Sequence, residues 1–539
     1  MKFIQGHDRE QTHLFPVSLN DSVDADNEVR IIDLFVNSLT LDNFGFKMDF
    51  IENGRPAYHP GDLLKLYIYG YLNRIRSSRA LEKECKRNIE VMWLLKTLQP
   101  DHNTIANFRR DNPKAIKKVF RGTVEIAKNF DLIGGKLIAG DSTKLRAQNS
   151  KKNNFNSKKI ERHIAYIDNK LEEYSAVLAE QDNDNHEKIE LIRAQIKKHE
   201  QRKTGYNQLK QQLEETGETQ ISTSDQESRQ MITRNNITEV AYNVQTTVDA
   251  KHNIPIDYKV TNENDSKAMG TMLRRTKTIL RTTGFTALYD KGYHTGSEIK
   301  TGQELGITLM VAIPQVASNA PDVNYNVANF IYDEIKDTYT CPQNQVLYTN
   351  GSRYKKNRGK SFTQMKHYKT NACSTCQVKD LCTGNKAGRL IERSEHAPYI
   401  EKNKQNIDAN PAIYKQRQSI VEHPYGTIKR QWDFSYIMTK CGKERASADV
   451  GLMFIAYNLR RLLSILGKNE IKKYLMVLLP VFYLKNTLQK AIKFILSNPE
   501  SREYAILKIH LPTGKFNSHF GVSLNSLIFT RICNLNGSF

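Results

Sequence analysis

The spacing of apolar residues divides this chain into helical stretches, a run of strands, and helical stretches again. Ile31, Ile32, Leu34, Phe35 and Leu39 recur at helical intervals, and His59-Pro60 opens a helix through Leu63, Leu64, Leu66, Tyr67 and Tyr71. Ser77-Ser78 starts another, carrying Leu81, Glu82 and Cys85. After Pro100-Asp101-His102, Asn103 or Thr104 is placed to cap a helix with Ile105, Phe108, Arg109 and Arg110. Short basic helices joined by tight turns suit a DNA-reading helix-turn-helix, and equally a docking or dimerisation bundle. From Asp131 the period changes. Lys136 to Asp141, Val240 to Asp249, Ile254 to Val260, Phe285 to Asp290 and Ile307 to Ile313 read as strands separated by helical stretches, which predicts an α/β domain.

A different pattern lies inside that domain. Ile160, Ile164, Ile167, Leu171, Tyr174 and Leu178 form a heptad seam. Beyond the polar turn Asp182-Asn183-Asp184-Asn185 a second seam runs through Ile189, Ile192 and Ile196, less cleanly towards Tyr206, Leu209 and Leu213. The pair predicts an antiparallel coiled-coil hairpin at about 155–220, its outer surfaces solvated by charge. Val450, Met453, Phe454, Tyr457 and Leu462 place a core helix from about Ser447, followed by a basic helical stretch, Lys472 to Ile495. The expected division is therefore an N-terminal helical region over 1–130, an interrupted catalytic α/β domain over 131–465, and a basic tail over 466–539.

Charge narrows the partners. Lys and Arg number 80 against 58 Asp and Glu, a formal charge of +22, so phosphate polyanions are attracted and salt should weaken the attraction. With 39% hydrophobic residues the chain can bury a core, which excludes wholesale disorder. The longest uninterrupted apolar run, Leu475 to Leu484, has ten residues and contains Pro480, against about 20 needed to span a bilayer. The N-terminus turns polar too early for a secretory signal, so the expectation is a cytoplasmic protein with no membrane partner. Seven cysteines argue against a disulfide framework. The chain has no Gly-rich phosphate loop, G-x-S-x-G elbow or H-E-x-x-H helix, so nucleotide hydrolysis and the common hydrolase chemistries lack their motifs.

Three elements carry candidate chemistry. Gly140-Asp141-Ser142-Thr143 and Leu288-Tyr289-Asp290-Lys291-Gly292-Tyr293 each read as an apolar strand ending on an acid, at the sheet rim where α/β sites form. Each acid alone is better explained as a helix cap or turn residue; the pair is stronger evidence, since both follow apolar runs and precede small or turn-forming residues. Tyr414, Arg417, Glu422 and Lys429 form the third element; on a regular helix Glu422 and Lys429, seven residues apart, share a face. Pro424 and Gly426 work against such a helix. Separately, Cys341, Cys373, Cys376 and Cys382 include a C-x-x-C pair, a set suited to tetrahedral structural Zn²⁺ in a knuckle at about 335–390; free buried thiols are the alternative. Nearby Lys355, Lys356, Arg358, Lys360, Lys366 and Lys369 would make that knuckle basic.

Taken in order, these motifs resemble the bacterial insertion-sequence transposases of the DDE superfamily. The resemblance runs from Asp8-Arg9-Glu10-Gln11 through the helical region, Gly140-Asp141-Ser142-Thr143, Tyr242-Asn243-Val244-Gln245 and Asp290-Lys291-Gly292-Tyr293 to the Tyr/Arg/Glu/Lys signature. It implies an α/β ribonuclease-H-like catalytic core with a coiled-coil-containing insertion, plus an N-terminal all-α region. In relatives that insertion is often β-rich. The resemblance further implies Asp141, Asp290 and Glu422 as the catalytic acids, binding two Mg²⁺ or Mn²⁺ ions, and Tyr414, Arg417 and Lys429 as phosphate contacts. One departure is visible: four residues separate Arg417 from Glu422, where that branch usually has three.

The implied function is a DNA transposase that binds the terminal inverted repeats of its element and cleaves and transfers strands. The partners would be double-stranded DNA (element ends and target) and a second copy in a homodimeric synaptic complex, nucleoid-associated in a bacterial cytoplasm. A catalytically inactive DNA-binding relic and a nuclease without strand transfer are the alternatives.

Overall fold

The computed structural model describes residues 18–48, 56–180, 186–233, 236–315, 320–358, 361–439 and 441–497. The opening Asp8-Arg9-Glu10-Gln11, the turn Asp182-Asn183-Asp184-Asn185, Lys360 and the tail beyond 497 lie outside the described residues. Helices α1 (Glu28–Asn37), α2 (Leu41–Phe44), α3 (Pro60–Leu72), α4 (Ser78–Arg87), α5 (Ile89–Leu94), α6 (His102–Asp111) and α7 (Pro113–Asn129) precede the first strand. His59 caps α3 by accepting the Gly61 N–H on Nδ1. The cap of α6 is Asp101, whose Oδ1 accepts the Asn103 and Thr104 N–H groups, rather than either of those residues: a carboxylate suits the positive end of a helix.

The main sheet comprises β1 (Leu137–Arg146), β4 (Arg229–Ile232), β5 (Thr238–Asp249), β6 (Ile254–Thr261), β7 (Thr286–Tyr289) and β8 (Thr308–Val311), with a short pair β2 (Asn154–Phe155) and β3 (Ile221–Ser222) beside it. Its order is β4-β5-β1-β7-β8, with β6 also paired to β5. β1 runs antiparallel to β5 and parallel to β7, and β7 runs parallel to β8. The sheet is thus half antiparallel and half parallel, and β1 sits at the change. β1 is longer than its apolar run suggests. Its polar second half, Ser142 to Arg146, pairs with Ala241 to Gln245, so Asp141 lies inside the strand and not at its end. What ends near Asp141 is the parallel pairing with β7, whose last partners are Ala139 and Leu288.

Both faces of the sheet are covered. On one, Phe120 of α7, Tyr258 of β6 and Phe454 of α15 (Lys443–Ser497) close a three-ring cluster with centroids 5.1–6.1 Å apart. This core is continuous with the N-terminal helices through Leu64, Tyr67, Tyr71 and Val119, and with α10 (Met269–Leu280) and α11 (Gly296–Glu304). On the other face, Ala139, Val248, Leu288 and Met310 pack against Ile420 and Val421 of α14 (Pro411–Tyr425), which follows α13 (Ala397–Ala409). The described residues up to Leu479 belong to one compact unit, and Pro480 begins a second.

A buried ionic knot fastens the helical region to the first face. Asp449 of α15 is fully buried and accepts hydrogen bonds from Tyr71, from Arg76 at 2.7 Å and from the Met438 N–H at 2.7 Å; Arg109 lies 3.5 Å away. Arg109, 4% exposed, is therefore a core cation and not a base-reading side chain, while Arg110 pairs with Asp111 on the surface. α15 breaks at Gly467, where φ is 76°. Over Lys443–Leu478 it is long and apolar enough to cross a membrane by composition, but 61% of its most apolar window is buried inside the protein. Uninterrupted apolar runs do not reveal this stretch, because Asp449, Arg460, Arg461 and Lys468 break it into shorter pieces.

Between β2 and β3 stand two long helices, α8 (Ser157–Glu180) and α9 (His186–Thr216). The rings of His163 and Tyr206 stack at 4.9 Å, Lys203 pairs with Asp168 at 2.6 Å, and Tyr174 lies 5.7 Å from His199, so the helices run antiparallel. Phe155, Ile160, Leu213 and Ile221 form a small core at the base.

Two further small sheets precede α13. One contains β9 (Ile331–Asp333), β10 (Thr338–Thr340) and β11 (Val346–Leu347); the other contains β12 (Arg353–Arg358), β13 (Ser361–Tyr368) and β14 (Ile391–Ser394), with α12 (Lys379–Cys382) between β13 and β14.

Candidate active site and a cysteine-lined cavity

Continued two residues past its last pair, the β1–β7 register sets Asp141 of β1 level with Asp290, the residue that follows β7. Both acids have the strand parity of Ala139 and Leu288, so both face α14. The approach of the strands depends on Gly140: a Cβ there would stand 2.0 Å from the Tyr289 ring. Asp290 caps the turn that follows, its Oδ1 accepting the Gly292 N–H at 2.9 Å.

α14 lays one face over the pair. Tyr414 donates to the Tyr289 carbonyl at 3.1 Å, Arg417 Nη1 lies 3.6 Å from Asp141 Oδ2, and Tyr425 donates to the Asp141 carbonyl at 3.2 Å. Burial raises the Asp141 pKa to about 6; Asp290 and Asp265 add to the rise against the Ser142 N–H and Arg417. Burial, with Asp141 behind it, likewise holds the Tyr425 hydroxyl protonated.

Glu422 is placed differently. It is exposed on α14, accepting from Gln418 Nε2 at 2.8 Å, and makes no described contact with either aspartate. Lys429 lies in a π-helical turn (Gly426–Gln431) that follows Pro424, and donates to Thr143 Oγ1 at 3.0 Å and the Lys144 carbonyl at 3.2 Å. Seven residues of regular helix would have kept Glu422 and Lys429 in phase. The π turn shifts that phase, and the two side chains meet different partners.

Asp265 is an acid that sequence reading passes over. Its Oδ1 accepts from Asn243 and Gln245, both at 2.7 Å, and its Oδ2 pairs with Lys144 at 3.3 Å. Against burial, which works the other way, Lys144 and the bonds from Asn243, Ser142 and Gln245 keep its carboxyl below the usual range. Gly292 lies between Asp290 Oδ1 and Asp265 Oδ2, so this fixed anion stands beside the Asp290 turn. Gln245 in turn accepts from the buried Tyr293 hydroxyl at 2.5 Å. Signals in the sequence were Asn243 and Gln245 on one strand and Asn262-Glu263-Asn264-Asp265 after the next, joined only once β5 and β6 pair.

The cysteines meet elsewhere. Cys341, Cys373, Cys376 and Cys382 line one cavity together with Phe330, Leu347, Lys379 and Arg389. All four are free thiols. Burial raises the Cys382 pKa, Arg389 opposes it, and the other three thiols add to the rise. Among the described residues no three His, Cys, Asp or Glu side chains are drawn up as a ready ligand set, at either location.

Two family models match the chain: a transposase domain over residues 17–111 and a transposase DDE domain over residues 340–463. A chain carrying both is a DNA transposase, an enzyme class whose DDE domains use divalent metals such as Mg²⁺. More narrowly, the two matches support an insertion-sequence transposase of the DDE type. The second match spans Cys341 to Cys382 and Tyr414 to Lys429 together. Comparison with curated proteins gives no match. Among solved structures, a piggyBac transposase synaptic complex with hairpin DNA aligns over 91% of this chain and 87% of its own, at 10% identity and a TM-score of 0.25, too low to establish a common fold.

Proposed function

We propose that this transposase binds the terminal inverted repeats of its element and carries out metal-dependent DNA cleavage and strand transfer from a ribonuclease-H-like core. The observation that carries the reading is Asp141 within β1 and Asp290 just past the end of the parallel neighbour β7, close enough for the charge of Asp290 to raise the Asp141 pKa, both under α14. The sheet order supports it: an antiparallel half and a parallel half meeting on the strand that holds the first acid. The residues fit divalent ions, because Asp141 is a carboxylate whose pKa burial and then Asp290 and Asp265 raise, against the Ser142 N–H and the single cation Arg417. Asp141 and Asp290 would hold two Mg²⁺ or Mn²⁺ ions, with Glu422 joining after leaving Gln418. When bound, such ions supply an activated water or 3′-hydroxyl and a stabilised leaving oxygen.

The chain's own groups do the positioning. Tyr414 and Tyr425 tie α14 to the two acid-bearing strands by hydrogen bonds to main-chain carbonyls, which fixes the distance across the site. Arg417 stands beside Asp141 as a guanidinium that can meet a phosphate oxygen. Lys429 braces β1 at Thr143 and Lys144, and DNA would draw it from that brace to a phosphate. Holding two element ends requires two copies of the chain, and the α8–α9 hairpin, read as a coiled coil, offers the surface for pairing them.

The test is a labelled duplex ending in the element's terminus, incubated with wild type and Asp290→Asn, in Mg²⁺ and in EDTA. Strand-specific cleavage and joined products, lost in the variant and in EDTA, are expected. Cleavage without joining would make the protein a nuclease, and binding without cleavage under any divalent metal would make it a relic.

A further inference from the structure

Apart from the acids, the segment from β9 to β14 has a packing problem of its own. Its core contains just Phe330, Tyr339, Leu347, Tyr368 and Ile391 as buried apolar residues, among the described ones. Several large apolar side chains of the same segment stay in water, including Ile331, Ile335, Tyr348 and Phe362. Five buried residues are too few to hold two three-stranded sheets and a set of turns, and small units of this kind are held by disulfides or a metal. Disulfides are absent: the cysteines here are free.

The four thiols sit where a staple would act. Cys341 leaves β10 in a tight turn: its N–H donates to the Gln345 carbonyl at 2.9 Å, the Gln345 N–H donates back to Cys341 Sγ at 3.3 Å, and Asn344 takes the left-handed conformation that closes the loop. Cys373 and Cys376 lie in and just after the 3-10 turn Asn371–Ser374, and Cys382 ends α12. Gly388 presses against Cys373, since a Cβ there would stand 2.6 Å from the cysteine Cβ, and its φ of 90° belongs to glycine. Arg389, buried at 6% exposure, donates to the Cys382 carbonyl at 3.2 Å and lines the same cavity with Lys379. Four thiolates around one divalent ion carry a net charge of about −2, and these two cations are the counter-charge a buried site of that kind needs.

We propose that Cys341, Cys373, Cys376 and Cys382 bind one structural Zn²⁺ ion that ties the β10–β11 turn, the turn after β13 and α12 into one unit. The ion completes the deficient core and fixes the basic hairpin of β12 and β13, where Arg353, Lys355 and Lys366 lie, in relation to α13 and α14. No bond is made or broken beyond loss of the thiol protons to solvent.

The test needs neither DNA nor catalysis, so it stands or falls apart from the acid site. Full-length protein from zinc-supplemented culture is analysed for metal and then exchanged with Co²⁺. About one zinc per chain and thiolate-to-cobalt charge transfer of a four-sulfur tetrahedral site are expected. Cys376→Ser and Cys382→Ser should lose the metal, and Cys441→Ser, on an exposed thiol outside the cavity, should keep it. Folded wild-type protein without stoichiometric zinc, or zinc retained in Cys376→Ser, would overturn the assignment. If the serine variants do not fold, the wild-type cobalt spectrum decides, because fewer than three sulfur ligands would equally overturn it.

Discussion

Asp141 is held protonated up to about pH 6 by burial and by the charges of Asp290 and Asp265, so its ionisation works against the fold. An acid whose pKa rises on folding binds its proton more tightly in the folded state. Stability from that proton is full below the ordinary aspartate range and lost as pH rises to about 6. Asp141→Asn should therefore abolish cleavage yet stabilise the metal-free protein at pH 7.5 by about 1–3 kcal/mol, with the gain shrinking towards pH 4. Thermal unfolding of both proteins across that range checks the sign, and a variant less stable than wild type at pH 7.5 would contradict it. Gly140→Ala is expected to inactivate by another route, since its methyl enters the space of the Tyr289 ring and separates the two acid-bearing strands. Reduced cleavage together with a lower Tm would identify that route. Asp141 and Asp290 stand out in the sequence because apolar runs lead up to each. Asp265 does not, because its partners Lys144, Asn243 and Gln245 come from two other strands and gather only through pairing.

Strand alternation locates β5 and β6 nearly to the residue, since their apolar positions answer to a core on a known face. It fails for the second half of β1, where Ser142 to Lys144 look like a turn but pair with Gln245, Val244 and Asn243 of β5. Within α14, the contacts of Tyr414 and Arg417 follow from helical spacing; the π turn after Pro424 does not, because it answers to a lost backbone donor and not to any side-chain period. In the α8–α9 hairpin, Ile160 and Ile167 are fully buried. Its base is closed by β2 and β3 and its core is separate from that of the sheet. Replacing residues 157–216 with a short Gly/Ser linker should leave the main thermal transition in place while removing any self-association the hairpin supplies. Calorimetry and sedimentation would show it, and collapse of the main transition would mean the hairpin is integral to the core.

Across the molecule, Asp449 is a charge that is costly to disturb, being fully buried between two arginines. Asp449→Ala would leave Arg76 and Arg109 buried with no anion between them, and is expected to cost about 3–5 kcal/mol by urea unfolding, with DNA-binding residues untouched. A loss below about 1 kcal/mol would show that water reaches the knot. Arg76 and Arg109 lie more than 300 residues from Asp449 in the chain, and no local pattern in the sequence ties them to it. The charge of +22, by contrast, needs no structure to read, and it should make DNA affinity fall steeply with salt.

The shared core of the N-terminal helices and the sheet also bears on how such genes decay. A copy shortened to begin after residue 130 would encode a sheet stripped of Phe120, Val119 and the partners of Asp449, with a broad apolar face open to water. Such a product is expected to be degraded before it accumulates, so a damaged copy would fall silent rather than persist as a stable fragment.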